Sequence, residues 1–253
     1  HVRRPPSKMA STQAKLQKSA ITSALHKLEE AWQEKDFYTV QQVYKTLYAR
    51  YKQASKTKEL REMLENGAIK LLQVNEVASG SELASLLLDH YKETNEVPSG
   101  TSLAPLLNIF ASYKPAENHP TKAAFISQAT NWSKCAANNN QGSPELHSAF
   151  AHHYWLRKDY DSAQKHYLRS DNMEEFAKVC VEWCSEGFPG EEDLFFTRPT
   201  LMLLALGNLK MANIFFKSYT THLTPAQIDV PLHNFCRFLL LTLERDAHPL
   251  FND

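Results

Sequence analysis

A thirteen-residue unit occurs twice in this chain. Residues 32–44 read Trp-Gln-Glu-Lys-Asp-Phe-Tyr-Thr-Val-Gln-Gln-Val-Tyr, and residues 155–167 read Trp-Leu-Arg-Lys-Asp-Tyr-Asp-Ser-Ala-Gln-Lys-His-Tyr. Trp32/Trp155, Lys35/Lys158, Asp36/Asp159, Gln41/Gln164 and Tyr44/Tyr167 coincide at a single offset of 123 positions, with Phe37/Tyr160 and Val40/Ala163 similar between them. This is the pattern of a helical hairpin. One helix ends on Trp, Lys-Asp makes the turn, and the aromatic, small and Tyr positions set the next helix against the first. Such a unit cannot bury its apolar face alone and gains stability by stacking on neighbours. The fold predicted is all-α, an α-solenoid of stacked helical hairpins of the TPR-like superhelical type.

Helical periodicity continues along the rest of the chain. Leu25, Leu28 and Trp32 fall on one face of a first helix, and Val40, Val43, Leu47 and Tyr51 on one face of a second. Leu60, Leu64, Ala68 and Leu71 mark a third over 59–74. Ser81-Glu82 reads as the capped start of a helix over 83–94, the glutamate complementing the positive end of the helix dipole. Further helices are expected over 101–113, 120–136, 144–157, 160–170, 173–187, 193–206, 209–221 and 231–245. The breaks are short, including Pro115–Pro120, and no segment alternates like a strand; a small β-hairpin near 222–231 is the one exception allowed. Residues 1–11 are expected to be a disordered leading remnant, with Met9-Ala10 resembling a start and no signal peptide legible. The polar run Asn138-Asn139-Asn140-Gln141-Gly142 predicts a seam between a 12–136 half and a 137–253 half.

Composition narrows the function classes. Only 7 glycines and the lack of GxGxxG or GxxxxGK[ST] argue against a nucleotide-binding sheet. Lys plus Arg equals Asp plus Glu at 28 each, so no global charge points to nucleic acid. Charge is nevertheless segregated. Residues 1–60 hold 12 basic against 5 acidic side chains, and residues 171–200 hold 8 acidic against 2 basic. Such asymmetry steers a charged partner to one end, unless it is simply a solvated helical face. The stretch Leu194 to Phe216 is interrupted by Arg198, Pro199, Asn208 and Lys210 and reads as core, so direct membrane insertion is not expected.

Candidate chemistry is thin. His147, His152 and His153 with Cys180 and Cys184 lack the CxxC or HExxH spacing of a zinc site. Cys135 and Cys180 have no local base or oxyanion motif to support a nucleophile. Ser79-Gly80-Ser81-Glu82 resembles a phosphate-cradling turn but lacks the preceding strand and the lysine. No catalytic, metal or cofactor residue is assigned, and the expectation is a non-enzymatic protein acting through its surface.

Several stretches resemble a known family. Asp36-Phe37-Tyr38, Gln41, Tyr44-Lys45-Thr46-Leu47 and Arg50-Tyr51 are similar to an early segment of the Golgi-to-ER traffic protein four family. The likeness continues through Glu65-Asn66-Gly67-Ala68, Ser79-Gly80-Ser81-Glu82-Leu83, Asn131-Trp132-Ser133, Pro144-Glu145-Leu146-His147, Asp159–Ser170, and Pro231-Leu232-His233-Asn234-Phe235 followed by Phe238-Leu239-Leu240-Leu241. That family supplies the cytosolic scaffold of the guided-entry (GET) pathway for tail-anchored proteins.

The resemblance implies a cytosolic adaptor without a cofactor. Its N-terminal half would dock on the dimeric targeting ATPase of the pathway, through Lys27, Lys45 and Arg50. Glu82, at a position where the family carries an acid associated with the closed ATP-bound ATPase, would join them; it is one methylene longer than aspartate. The C-terminal half would hold a ubiquitin-like GET-pathway protein through Ile228, Val230, Leu232, Phe235 and Phe238, and through it a co-chaperone carrying the client. The alternative is a generic helical-repeat subunit of another large complex, of the proteasome-lid or translation-factor type.

Overall fold

The computed structural model describes residues 8–114, 119–135 and 140–245. Residues 1–7 of the expected leading remnant, the break at 115–118, and Asn138-Asn139 of the expected seam lie outside the described residues. The chain divides into two compact units, His1–Ala136 and Ala137–Asp253. Both are all-α among the described residues and consist of stacked helical hairpins, as an α-solenoid requires.

The first unit contains α1 (Lys8–Gln33), α2 (Phe37–Gln53), α3 (Thr57–Gln73), α4 (Val77–Glu93), α5 (Gly100–Ala111) and α6 (Pro120–Ser133). Helices α2, α3 and α4 each have 17 residues and follow one another at a period of 20. The corners repeat with them: Lys35, Ser55, Asn75 and Asn95 all take the left-handed conformation, with φ of 57°, 53°, 72° and 50°. At each corner the following amide returns to a carbonyl in the preceding helix, as Asp36 N does to Ala31 O at 3.0 Å and Lys56 N to Tyr51 O at 3.0 Å. This closes the helix end in a Schellman arrangement and satisfies carbonyls that would otherwise lack donors. Helix α2 packs against both α3 and α4, α3 against α5, and α4 against α6, giving two interleaved layers. Val40, Leu47, Leu60, Leu64, Leu71, Leu83 and Leu87 fill the space between the layers and are fully buried.

The second unit contains α7 (Pro144–Leu156), α8 (Tyr160–Tyr167), α9 (Met173–Ser185), α10 (Leu194–Ala205), α11 (Leu209–Thr220), α12 (Pro225–Ile228) and α13 (Pro231–Glu244). Its core is aromatic. Tyr167 stacks on Phe176 at 5.2 Å between centroids, Phe176 meets Phe215 at 4.8 Å, and Phe196 meets Tyr219 at 5.6 Å. The repeated unit performs the same turn here as in the first. Lys158 has φ 58° against 57° for Lys35. Asp159 accepts a hydrogen bond from Ser162 N at 3.1 Å, as Asp36 does from Thr39 N at 3.0 Å. Each aspartate thereby caps the helix that follows.

Two expectations are corrected. Helix α4 begins at Val77 with Glu76 as its N-cap residue, so Ser81 and Glu82 are internal to it and do not start it. Gly80 is there for packing: a Cβ on it would lie 2.8 Å from Leu72 Cγ and 3.1 Å from the Ala68 carbonyl oxygen. Ser81 is buried, its hydroxyl 2.8 Å from that of Tyr113 and 2.9 Å from that of Thr121. The hairpin allowed near 222–231 is replaced by the single turn α12. Pro225 occupies the first helical position, where its missing N–H costs nothing, and Thr224 with Gln227 forms a capping box.

Candidate functional site

Glu82 lies on the second turn of α4, beyond the first-turn reach of the helix dipole, so helix-start electrostatics do not account for it. Its carboxylate is engaged by α2. Lys45 Nζ lies 2.6 Å from Oε1, and Gln41 donates from Nε2 to Oε2. Lys45 and Glu82 are 37% and 41% exposed, so the pair is open to solvent along the α2–α4 edge. Two turns further along α2, Lys52 pairs with Glu93 of α4 at 2.6 Å. Tyr38, one turn before Gln41 on α2, is 73% exposed.

The structure therefore unites two of the four residues expected to meet the ATPase. Arg50 turns inward and donates to the Ala20 carbonyl of α1, tying α1 to α2. Lys27 is exposed on α1, beside a shallow groove that it lines with Lys18 and Glu30. Thr39 lowers the Asp36 carboxyl through its hydrogen bonds, and the Lys27 charge adds to this. The basic excess of residues 1–60 is partly cancelled on the fold, because Lys45, Lys52, Lys56 and Lys58 all sit beside glutamates.

In the second unit the expected residues separate into two groups. Val230 and Leu232 pack against the aromatic core, and Ile228 is half-buried in α12. Phe235 and Phe238 are 48% and 56% exposed, one turn apart on α13, while His233, Cys236 and Leu240 bury the opposite face. Arg237 covers the Phe238 ring at 4.8 Å. A groove of about 700 Å³ lies between the 187–193 turn and the Tyr219–Val230 stretch. Val181, Phe196, Leu223 and Val230 make its apolar wall, Glu192 and Asp193 its acidic rim, and Phe188, 78% exposed, its lip.

The histidines and cysteines have other occupations. His152 Nδ1 lies 2.8 Å from Glu175, and His147 Nδ1 lies 2.9 Å from His166 Nδ1. Burial pushes the Cys180 and Cys184 thiols up, opposite to what a nucleophile needs. Among the described residues no group of three or more His, Cys, Asp or Glu is placed to hold a metal. Nor is any helix among them long and apolar enough to cross a membrane. Sequence reasoning did not single out Gln41, which the fold sets against Glu82, or Phe188, which lines the groove. The identity of Gln41 with Gln164 was a signal for the first; an aromatic inside the Gly187–Gly190 turn was one for the second.

Residues 54–253 match the sequence profile of Golgi to ER traffic protein 4. The chain belongs to the Golgi to ER traffic protein 4 family. A Golgi to ER traffic protein 4 homolog from Dictyostelium discoideum is 36% identical over 228 residues, which is 90% of this chain and 73% of the relative. The human homolog is 31% identical over 224 residues, 86% of this chain and 67% of the relative. A crystal structure titled C. therm. Get4 superposes with a TM-score of 0.77 at 23% identity, covering 90% of this chain and 77% of that one, and shares the fold. The Golgi to ER traffic protein 4 profile begins at Ala54, and the Dictyostelium alignment is longer than that match. The likeness to the family therefore extends upstream of α3.

Proposed function

We propose that this protein is a non-enzymatic cytosolic adaptor of the guided-entry pathway, bridging the dimeric tail-anchored-protein targeting ATPase and a ubiquitin-like co-factor. The observation that carries the reading is Glu82. An acid on the second turn of α4 does nothing for the helix start, yet it is held at an exposed edge by two side chains of α2. The α2–α4 edge is the ATPase face, with Glu82 and Lys45 at its centre and Lys27 at its margin; Arg50 supports it from behind. The exposed Phe235 and Phe238, with the groove beside Val230, form the face for the ubiquitin-like partner. A co-chaperone with its client joins through that partner.

The adaptor acts by differential binding. It shifts the ATPase toward one nucleotide state by no more than its affinity difference between states. Because Lys45 and Lys52 are already paired, the salt dependence of docking should be shallower than the basic excess of residues 1–60 suggests. Calorimetric titration of this chain into the targeting ATPase, with and without ATP and at two salt concentrations, tests the reading. Nucleotide-dependent binding supports it; no binding by a folded sample rejects it.

A further inference from the structure

Glu82 is anchored unevenly by its two neighbours. Lys45 offers a full charge to Oε1 and so cancels part of the acid's field. Gln41 donates to Oε2 without bringing any charge. A carboxylate at the end of a glutamate side chain otherwise turns freely, since its terminal torsion is broad. With each oxygen held by a different side chain of α2, one turn apart, the rotation of its plane is restrained relative to the α2–α4 edge. We propose that Gln41 is a positioning residue for Glu82, orienting the carboxylate toward a lysine or arginine side chain of a protein partner while leaving its charge available. The proposal rests on the reading of the α2–α4 edge as the ATPase face.

The second unit supplies an internal comparison. Gln164 occupies the same place in the repeated unit and likewise reaches from one helix to the next but one, from α8 to α10. It ends on Met202 Sδ at 3.7 Å, a weak acceptor. The repeat architecture therefore does not need a carboxylate at the far end of this glutamine. In the first unit that end is an exposed acid, and Gln41 shares its α2 face with Tyr38 and Lys45. A pre-oriented acceptor loses less freedom when a partner's cation arrives, so positioning appears as affinity.

The test is a double-mutant cycle with the full chain, titrated calorimetrically into the targeting ATPase in the presence of ATP. Gln41→Met keeps the length and volume of the side chain and removes the donor. It is expected to weaken binding three- to tenfold with unchanged thermal unfolding. In a Glu82→Gln background, itself weaker than wild type, Gln41→Met should cost nothing further. An equal loss in both backgrounds, or no loss in the wild-type background, overturns the positioning role. A Glu82→Gln protein that binds like wild type rejects Glu82 as a contact, and with it the site reading on which the proposal rests.

Discussion

Lys45 and Glu82 stand 37 positions apart in the chain and 2.6 Å apart in the fold. The period-20 stack makes this possible by bringing α2 and α4 side by side across α3. Exposed ion pairs contribute about 0–1 kcal/mol to stability. Lys45→Glu should therefore destabilise modestly by placing two carboxylates together, and Lys45→Glu with Glu82→Lys should recover most of that loss. ATPase binding should fall in both variants, because the swap restores the intramolecular pair and inverts the face shown to the partner. Urea unfolding and calorimetry on the same samples separate the two effects.

Gly67 and Gly80 are packing glycines. A Cβ at Gly67 would sit 2.7 Å from Tyr44 Cε1, and Tyr44 is buried with its ring fixed between helices. Gly67→Ala gains about 1 kcal/mol of helix propensity. Overpacking of this kind typically costs about 1–3 kcal/mol. The expected balance is net destabilisation, relieved when Tyr44 is also changed to leucine. Urea midpoints of the two single variants and the double measure it. A stabilised Gly67→Ala protein would contradict the packing described.

Burial, with the neighbouring His147 and Arg169 charges adding to it, pushes the His166 imidazole down to about 3 from its ordinary 6.5. The folded state thus binds the proton less readily than the unfolded state. Stability is whole above pH 6.5 and is lost as pH falls from there toward 3. By linkage this one group would remove about 2 kcal/mol between pH 7.5 and pH 5. His90 and His233 are lowered in the same direction by burial. His166→Gln should lower stability at neutral pH, where the 2.9 Å contact with His147 is altered, yet flatten the decline toward pH 5. Unfolding curves at several pH values give both quantities.

Much of the fold was legible because local chemistry and tertiary packing agree. Lys35-Asp36 and Lys158-Asp159 turn and cap the chain as the repeated string implies, and the apolar stripes of α2 and α3 are the buried faces. Ser81 misled because Ser-Gly-Ser-Glu has the composition of a break and a cap. Its glycine instead answers to Leu72 and the Ala68 carbonyl on α3, a tertiary demand invisible to local pattern. The 20-residue period of the corners was hidden because the left-handed position is filled by Lys, Ser, Asn and Asn in turn. Of the candidate site, Glu82 was singled out by resemblance, but its pairing with Lys45 and Gln41 depends on how α2 and α4 stack. Arg50 reads from sequence as one more basic surface residue; only the fold shows it turned toward Ala20.

Phe235 and Phe238 differ from the aromatic core in what truncation should do. Both are about half exposed, so Phe238→Ala leaves little cavity and is expected to cost less than about 1 kcal/mol. Phe176→Ala, at a fully buried position, should cost about 3–5 kcal/mol. Binding of the ubiquitin-like partner should weaken at least tenfold in Phe238→Ala while its thermal unfolding stays near wild type. A large stability loss would instead place Phe238 in the core.

The adaptor reading stands most directly on simultaneous occupancy of the two faces. Sedimentation velocity of this chain mixed with the targeting ATPase, ATP and the ubiquitin-like co-factor measures it in one experiment. The account predicts a species containing all three proteins, which loses only the ATPase in a Glu82→Lys variant and only the co-factor in a Phe235→Ala, Phe238→Ala variant. Two binary complexes that exclude each other, or no complex at all from folded samples, would contradict it.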